Sequence, residues 1–154
     1  HYRARRQRQM CIRDRTITRL SRVGFDNTLG YLEGGITSWT GAGKNIEQIE
    51  NITATQLQTK IEKGAAIFDV RKESEYDSVH IPNATLIPLD KINESLNHYD
   101  FEKEFYLHCA GGYRSMIALS ILKKRGIHGG FNVAGGMKAI KETSIDLQEI
   151  SCSN

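Results

Sequence analysis

The residues best suited to chemistry lie in one short stretch, from Cys109 to Ser115. A cysteine follows a run of apolar residues, two glycines come after it, and an arginine and a serine close the stretch. Ligand sites in open α/β sheets lie at the carboxyl ends of strands, and a Gly-rich turn before a helix directs several backbone N–H groups toward one point. Such a turn stabilises an anionic sulfur. The sequence therefore predicts a nucleophilic thiolate at Cys109.

Two side chains near this cysteine have predicted roles of their own. Arg114 carries a fixed positive charge suited to an anionic substrate, and Ser115 can cap the following helix or hydrogen-bond the sulfur. His108 precedes Cys109 in a predicted strand, where successive side chains point to opposite faces. The sequence therefore argues against a Cys-His dyad.

Length and composition limit the class of protein. A chain of 154 residues, 39% of them hydrophobic, has room for one domain of ordinary size and a short remainder. It has no run of 18 or more apolar residues, and no apolar stretch follows the basic N-terminus, which argues against a membrane span and a secretory signal. Three cysteines, Cys11, Cys109 and Cys152, fit neither a disulfide framework nor a zinc site. We therefore expect a cytoplasmic protein with no metal and no cofactor.

Positive charge is confined to the N-terminus. The first 15 residues carry a formal charge of +5 and the remaining 139 carry −2, so the body of the protein has no basic surface for nucleic acid. We expect neither a nucleic-acid nor a membrane partner. Residues 1–15 lack apolar periodicity and are interpreted as a disordered basic arm foreign to the fold.

A partial internal repeat suggests the domain organisation. The pairs Gly34-Gly35 and Gly135-Gly136 occur in similar surroundings 101 residues apart. Each copy is predicted to contain a helix end, a Gly cap, a short apolar strand and a helix that begins at the Gly-Gly pair. The predicted plan is 16–43 as the C-terminal tail of a first repeat, 44–50 as a linker and 51–150 as a complete domain. We expect the tail to pack on the complete domain, and the chain to be a fragment of a longer protein.

Strands and helices alternate in the complete unit. The predicted elements are a helix over 54–62 capped by Thr53, strands over 65–70, 86–87 and 105–108, and helices over 89–96 and 115–125. This alternation predicts an α/β fold with a mostly parallel central sheet and helices on both faces.

With these elements in place, the sequence resembles the rhodanese-like sulfurtransferases, in which a cysteine opens a six-residue loop closed by arginine. The stretches that carry the resemblance, besides the loop, are Asp69-Val70-Arg71, Glu75-Tyr76, His80-Ile81-Pro82-Asn83-Ala84, Ile87-Pro88 and Asn132-Val133-Ala134-Gly135-Gly136. Val79 and Asn83 stand where the family usually or often has Gly, and Ile140 replaces its usual Trp. Asn tolerates left-handed backbone, so the turn at Asn83 is expected to persist.

The resemblance implies that Cys109 carries a sulfane sulfur as a persulfide between a small-molecule donor and a thiol acceptor. The loop residues would bind the substrate sulfur, namely Ala110, Gly111, Gly112, Tyr113, Arg114 and Ser115. Four upstream residues, Asp69, Arg71, Glu75 and His80, are interpreted as supports that fix the surrounding loops. Family members that favour thiosulfate often have a basic residue where this chain has Ala110, so a low-molecular-weight persulfide is an equally good candidate donor.

Two other functions stay open at this stage. A phosphatase or arsenate reductase of the related cell-cycle phosphatase type uses the same Cys-to-Arg loop, but with one more residue between Cys and Arg. A non-catalytic binding module is the other alternative. The sequence from Val23 to Tyr31 also resembles the corresponding segment of proteins that fuse a metallo-β-lactamase-fold domain to tandem rhodanese units. This resemblance implies such a domain as a partner missing from this chain.

Overall fold

The computed structural model describes residues 2–22, 24, 26–100 and 103–149. Cys152 and the end of the predicted domain at residue 150 lie outside the described residues. The chain divides into two compact units between Glu47 and Gln48. Among the helices of the described ranges, none combines the length and the apolar content needed to cross a lipid bilayer.

The first unit contains two helices, α1 (Tyr2–Ser21) and α2 (Gly35–Gly41). The prediction of a disordered arm over residues 1–15 is therefore corrected: residues 2–15 are helical. The arm contains neither Gly nor Pro and is rich in Arg and Gln, which are good helix formers. An absent apolar face argues against packing onto a core, but it does not prevent helix formation.

The two Gly-Gly pairs share their backbone geometry. Gly34 has φ 77° and ψ −3°, Gly135 has φ 77° and ψ −10°, and each directly precedes a helix. The strand predicted before Gly34-Gly35 is absent: residues 26–32 form neither helix nor strand. A short apolar segment becomes a strand only beside another strand, and the described part of the first unit contains none.

The second unit is built on a five-stranded parallel sheet. Its strands are β1 (Asn51–Ile52), β2 (Ala66–Asp69), β4 (Thr85–Leu86), β5 (Phe105–His108) and β6 (Gly130–Val133), in the order β1-β6-β5-β2-β4. Its helices are α3 (Ala54–Glu62), α4 (Glu73–Ser78), α5 (Tyr113–Lys124) and α6 (Gly136–Ile140). A separate antiparallel pair joins β3 (Val79–His80) to β7 (Gln148–Glu149). The predicted α/β fold with a mostly parallel sheet is confirmed.

Alternation along the central strands divides the core into two clusters. On β5, Phe105 and Leu107 belong to one cluster with Leu119 and Leu122 of α5. Tyr106 points the other way, into a cluster with residues of α3 and α6. Successive side chains of a strand face opposite sides of a sheet, so the two clusters lie on opposite faces. Because each cluster includes helix residues, helices cover both faces of the sheet. Cys109 directly follows β5, in the middle of this sheet.

Local sequence explains several helix boundaries. Thr53 accepts a hydrogen bond from the Gln56 N–H, and the Gln56 side chain accepts one from the Thr53 N–H, so α3 begins with a complete capping box. The helix predicted over 89–96 is wrong: two 3-10 helices, Leu89–Lys91 and Leu96–His98, occupy this region. Asn and Ser residues between them favour turns over continuous helix. The short helix α4 was not predicted.

Candidate active site

Cys109 lies at the carboxyl end of β5 with only 1% of its surface exposed. The Gly112 N–H donates a hydrogen bond to its Sγ atom at 3.2 Å. Gly112 adopts φ 91°, and a Cβ there would also lie 3.3 Å from the Gly135 nitrogen. A glycine is therefore required for the curl that turns this N–H toward the sulfur.

The loop stabilises the anionic form of this sulfur. Burial raises the pKa of the Cys109 thiol, but hydrogen bonds from the Ser115 hydroxyl and from the backbone N–H groups of Ser115, Gly111 and Gly112 outweigh it. The pKa of Cys109 is therefore lower than that of an ordinary thiol. A buried sulfur with a lowered pKa is a nucleophile held away from bulk water.

Helix α6 supports the loop from behind. The Met137 N–H donates to the Cys109 carbonyl at 2.7 Å, and the Lys138 N–H donates to the Ala110 carbonyl at 3.1 Å. A Cβ at Gly136 would overlap the Cys109 carbonyl oxygen. The second Gly-Gly pair therefore permits the backbone of α6 to approach the backbone that carries the cysteine.

Arg114 forms a two-pronged ion pair with Glu75 of α4. Its two terminal nitrogens donate to the two carboxylate oxygens at 2.6 and 2.8 Å. These hydrogen bonds lower the pKa of Glu75 to about 2. The hydrogen bonds to Glu75, and more weakly the charge of the Cys109 sulfur, raise the pKa of Arg114. The predicted anion-binding arginine is thus held at a fixed place by a carboxylate.

The other upstream residues make contacts away from the sulfur. Asp69 and Arg71 form a buried ion pair at 2.6 Å, and Arg71 also donates to the Val79 carbonyl at 2.6 Å. This pair ties the end of β2 to β3. His108 lies 3.8 Å from the Asp69 carboxylate. Burial lowers the pKa of His108.

His80 contributes to the turn after β3. Its Nδ1 atom lies 2.8 Å from the Tyr76 carbonyl, and its ring stacks on the Tyr76 ring with centroids 3.9 Å apart. The Tyr76 hydroxyl donates to the Ala84 carbonyl at 2.7 Å. Asn83 in this turn has φ 65°, so its predicted tolerance of left-handed backbone is confirmed.

Two asparagines near the sulfur were missed by sequence reasoning. The Ser115 hydroxyl donates to Asn132 Oδ1 at 2.6 Å, and Asn132 Nδ2 donates to Asn51 Oδ1 at 2.6 Å. The only signal was the position of Asn132, a polar residue between Phe131 and Val133 in β6. Asn132 was included in the motif from Asn132 to Gly136 but was given no role. At the outer edge of the loop, Tyr113 is 45% exposed.

Comparisons with known proteins agree with this geometry. Residues 53–143 match the model of the rhodanese-like domain. The crystal structure of a rhodanese-like domain protein from Staphylococcus aureus is 35% identical, with a TM-score of 0.59 over 66% of this chain and 100% of that one.

Two curated relatives differ in the share of their length that this chain covers. The chain is 31% identical over 99 residues to YrkF of Bacillus subtilis, covering 63% of this chain and 54% of YrkF. It is 27% identical over 96 residues to the thiosulfate sulfurtransferase GlpE of Pseudomonas syringae, covering 62% of this chain and 91% of GlpE. The chain thus spans about half of one relative and most of the other. Because the family model covers more than half of this chain, the protein belongs to the rhodanese-like domain family.

Proposed function

We propose that this protein is a sulfurtransferase that carries sulfur as a persulfide on Cys109. The observation that carries the proposal is the buried Cys109 sulfur, held 3.2 Å from the Gly112 N–H at the end of the central strand. A thiolate in this setting needs no general base to attack a donor. The family resemblance of the loop supports the same conclusion.

The proposed reaction has two balanced steps. The Cys109 thiolate attacks the outer sulfur of the donor, the donor's S–S bond breaks, and its electron pair leaves with sulfite or with a thiolate. The persulfide sulfur on Cys109 then lies beside the loop N–H groups, which donate to its negative charge. An acceptor thiolate attacks this outer sulfur and releases the Cys109 thiolate unchanged.

The charge of the site favours a persulfide donor over thiosulfate. Arg114 is already paired to Glu75 through two hydrogen bonds, which reduces the positive potential offered to a second anion. Ala110 adds no charge at the next loop position. A dianion such as thiosulfate depends on that potential more than a singly charged persulfide does. We therefore propose a low-molecular-weight persulfide as the preferred donor, with a thiol as acceptor.

Intact mass spectrometry tests the assignment. After exposure to glutathione persulfide or thiosulfate, the protein should gain the mass of one sulfur atom, and peptide analysis should place it on Cys109. Cys109→Ser should abolish the gain, while Cys11→Ser, at an exposed cysteine, serves as the matched control. Sulfur gain in Cys109→Ser would contradict the proposal. In a parallel incubation with an aryl phosphate or with arsenate, an adduct on Cys109 together with no sulfur gain from the sulfur donors would favour the phosphatase-type alternative.

The resemblance of the first unit supports a second, separate proposal. We propose that residues 16–43 derive from another rhodanese-like repeat, because Gly34 and Gly135 share their backbone conformation before a helix. The metallo-β-lactamase-fold partner suggested by the surrounding sequence is part of this proposal. The reading frame of the genomic locus upstream tests it, since such a partner would bring its own His-rich metal motif.

A further inference from the structure

A chain of hydrogen bonds leads from the surface of the sheet to the reactive sulfur. Asn51 Nδ2 donates to the Ile49 carbonyl at 3.2 Å, and Asn51 Oδ1 accepts from Asn132 Nδ2 at 2.6 Å. Asn132 Oδ1 accepts from the Ser115 hydroxyl at 2.6 Å, and the Ser115 oxygen lies 3.6 Å from Cys109 Sγ. Asn132 and Ser115 are buried, and Asn51 is exposed on the edge strand β1.

The direction of this chain is set at its outer end. A backbone carbonyl can only accept a hydrogen bond, so the Asn51 amide nitrogen must face Ile49 and its oxygen must face Asn132. Asn132 then presents its nitrogen to Asn51 and its oxygen to Ser115. A serine hydroxyl has one proton, so Asn132 Oδ1 and Cys109 Sγ, which both lie within hydrogen-bonding distance of the Ser115 oxygen, compete for it.

This direction affects what Ser115 can do for the sulfur. While its proton is directed to Asn132, the Ser115 oxygen offers only lone pairs to Cys109, which suit a thiol and not a thiolate. To donate to the thiolate, the hydroxyl must rotate and leave the buried Asn132 oxygen without a donor, which is costly. Both contacts are hydrogen bonds, and the one to Asn132 is the shorter, at 2.6 Å against 3.6 Å to the sulfur.

We propose that Asn132, oriented by Asn51, is a positioning residue that competes with Cys109 for the Ser115 hydroxyl proton and so limits the resting nucleophilicity of the sulfur. This inference rests on the proposed role of Cys109 as sulfur carrier. The backbone N–H groups of the loop remain the constant donors, and the Ser115 hydroxyl becomes an additional donor that responds to the charge of the sulfur.

The ionisable groups near the Cys109 sulfur take no part in the hydrogen-bonded chain from Asn51 to Ser115. They are His108 at the end of β5, Arg114 on α5 with its partner Glu75 on α4, and the ion pair between Asp69, the last residue of β2, and Arg71. None of these makes a hydrogen bond to Asn51 or Asn132 among the contacts of the described residues. A variant at Asn51 therefore changes the orientation of the amide chain and leaves these charges in place.

The experiment measures the pH midpoint of thiolate formation at Cys109 by ultraviolet absorbance. It uses a Cys11→Ser, Cys152→Ser background so that Cys109 is the single thiol. Asn51→Ala removes the contact that orients Asn132, so the Asn132 amide can turn its nitrogen toward Ser115 and release the Ser115 proton to the sulfur. The midpoint should fall by about one pH unit, equal to a tenfold rise in thiolate fraction below the midpoint.

Three further variants make the result specific. Asn97→Ala, at an exposed asparagine on a distant 3-10 helix, is the matched control and should not move the midpoint. Ser115→Ala should eliminate the effect of Asn51→Ala, since no hydroxyl remains to turn. Asn132→Leu should act in the same direction as Asn51→Ala, and the surface variant decides the question if the buried one does not fold.

The outcomes separate this inference from the proposed function. An unchanged midpoint in Asn51→Ala, or a shift that persists in the Ser115→Ala background, would overturn the inference. Absorbance titration does not require sulfur transfer, so a protein that fails to load sulfur but shows the expected shift would refute only the proposed function.

Discussion

Removing the Glu75 carboxylate should destabilise the protein in a pH-dependent way. Its pKa falls from 4.5 to about 2 on folding, chiefly through the hydrogen bonds from Arg114. At about 1.4 kcal/mol per pH unit this corresponds to about 3 kcal/mol. Solvent screens a pair whose side chains are 26% and 34% exposed, which reduces the expected contribution to about 1–2 kcal/mol.

The sign of the pH dependence follows from the direction of the shift. Because the pKa of Glu75 is lower in the folded protein, its contribution is complete above 4.5 and disappears as the pH falls toward about 2. Glu75→Gln should therefore lower the free energy of unfolding at neutral pH by about 1–2 kcal/mol. The difference from the unaltered protein should shrink steadily in acid.

Urea denaturation of both proteins at a series of pH values, from about 7 down to about 3, measures this difference. Glu73→Gln is the matched control, because Glu73 lies exposed in the first turn of the same helix. A deficit of equal size at both ends of the series would show that Glu75 acts through packing and not through its charge. An equal deficit in Glu73→Gln would assign the effect to the helix dipole and refute the specific pairing with Arg114.

Two more perturbations test the support of the loop and the buried histidine. Gly136→Ala places a methyl group against the Cys109 carbonyl at a residue with φ 54°, so it should lower the free energy of unfolding in urea by roughly 2 kcal/mol or more. Gly111→Ala, at an open position of the loop after Cys109, should be nearly neutral. Equal effects of the two would contradict the close approach of α6 to the Cys109 backbone. Burial lowers the pKa of His108, so the unfolded chain binds a proton more readily and the free energy of unfolding should fall as the pH drops below about 6.5. His108→Gln should remove that fall and His128→Gln, at an exposed histidine, should preserve it; a fall that survives in His108→Gln would mean that another group titrates.

Features set by neighbouring residues could be predicted from the sequence. Thr53 and Gln56 form their capping box within one turn, so the start of α3 was identified correctly. The strand over 105–108 and the curl after Cys109 likewise depend on a short apolar run and on adjacent glycines. These are local effects, and local sequence is sufficient to identify them.

Contacts between distant residues could not be predicted in the same way. Arg114 was expected to present its charge to an anionic donor, but its carboxylate partner comes 39 residues earlier on a helix too short to be recognised from periodicity. The amide pair Asn51 and Asn132 is 81 residues apart and becomes adjacent only through the pairing of β1 with β6. The role of a polar residue in a strand depends on which strand lies beside it.

The support of the Cys109 carbonyl by α6 has a consequence for the order of synthesis. A ribosome completes the strand and loop that contain Cys109 before it makes Gly136 and Met137, whose backbone closes behind that loop. A nascent chain that ends before Met137 contains the cysteine but lacks the N–H group that holds its carbonyl. The groups that donate to the sulfur, at Gly111, Gly112 and Ser115, are therefore synthesised before α6, and the backbone that supports their loop from behind is added only afterwards.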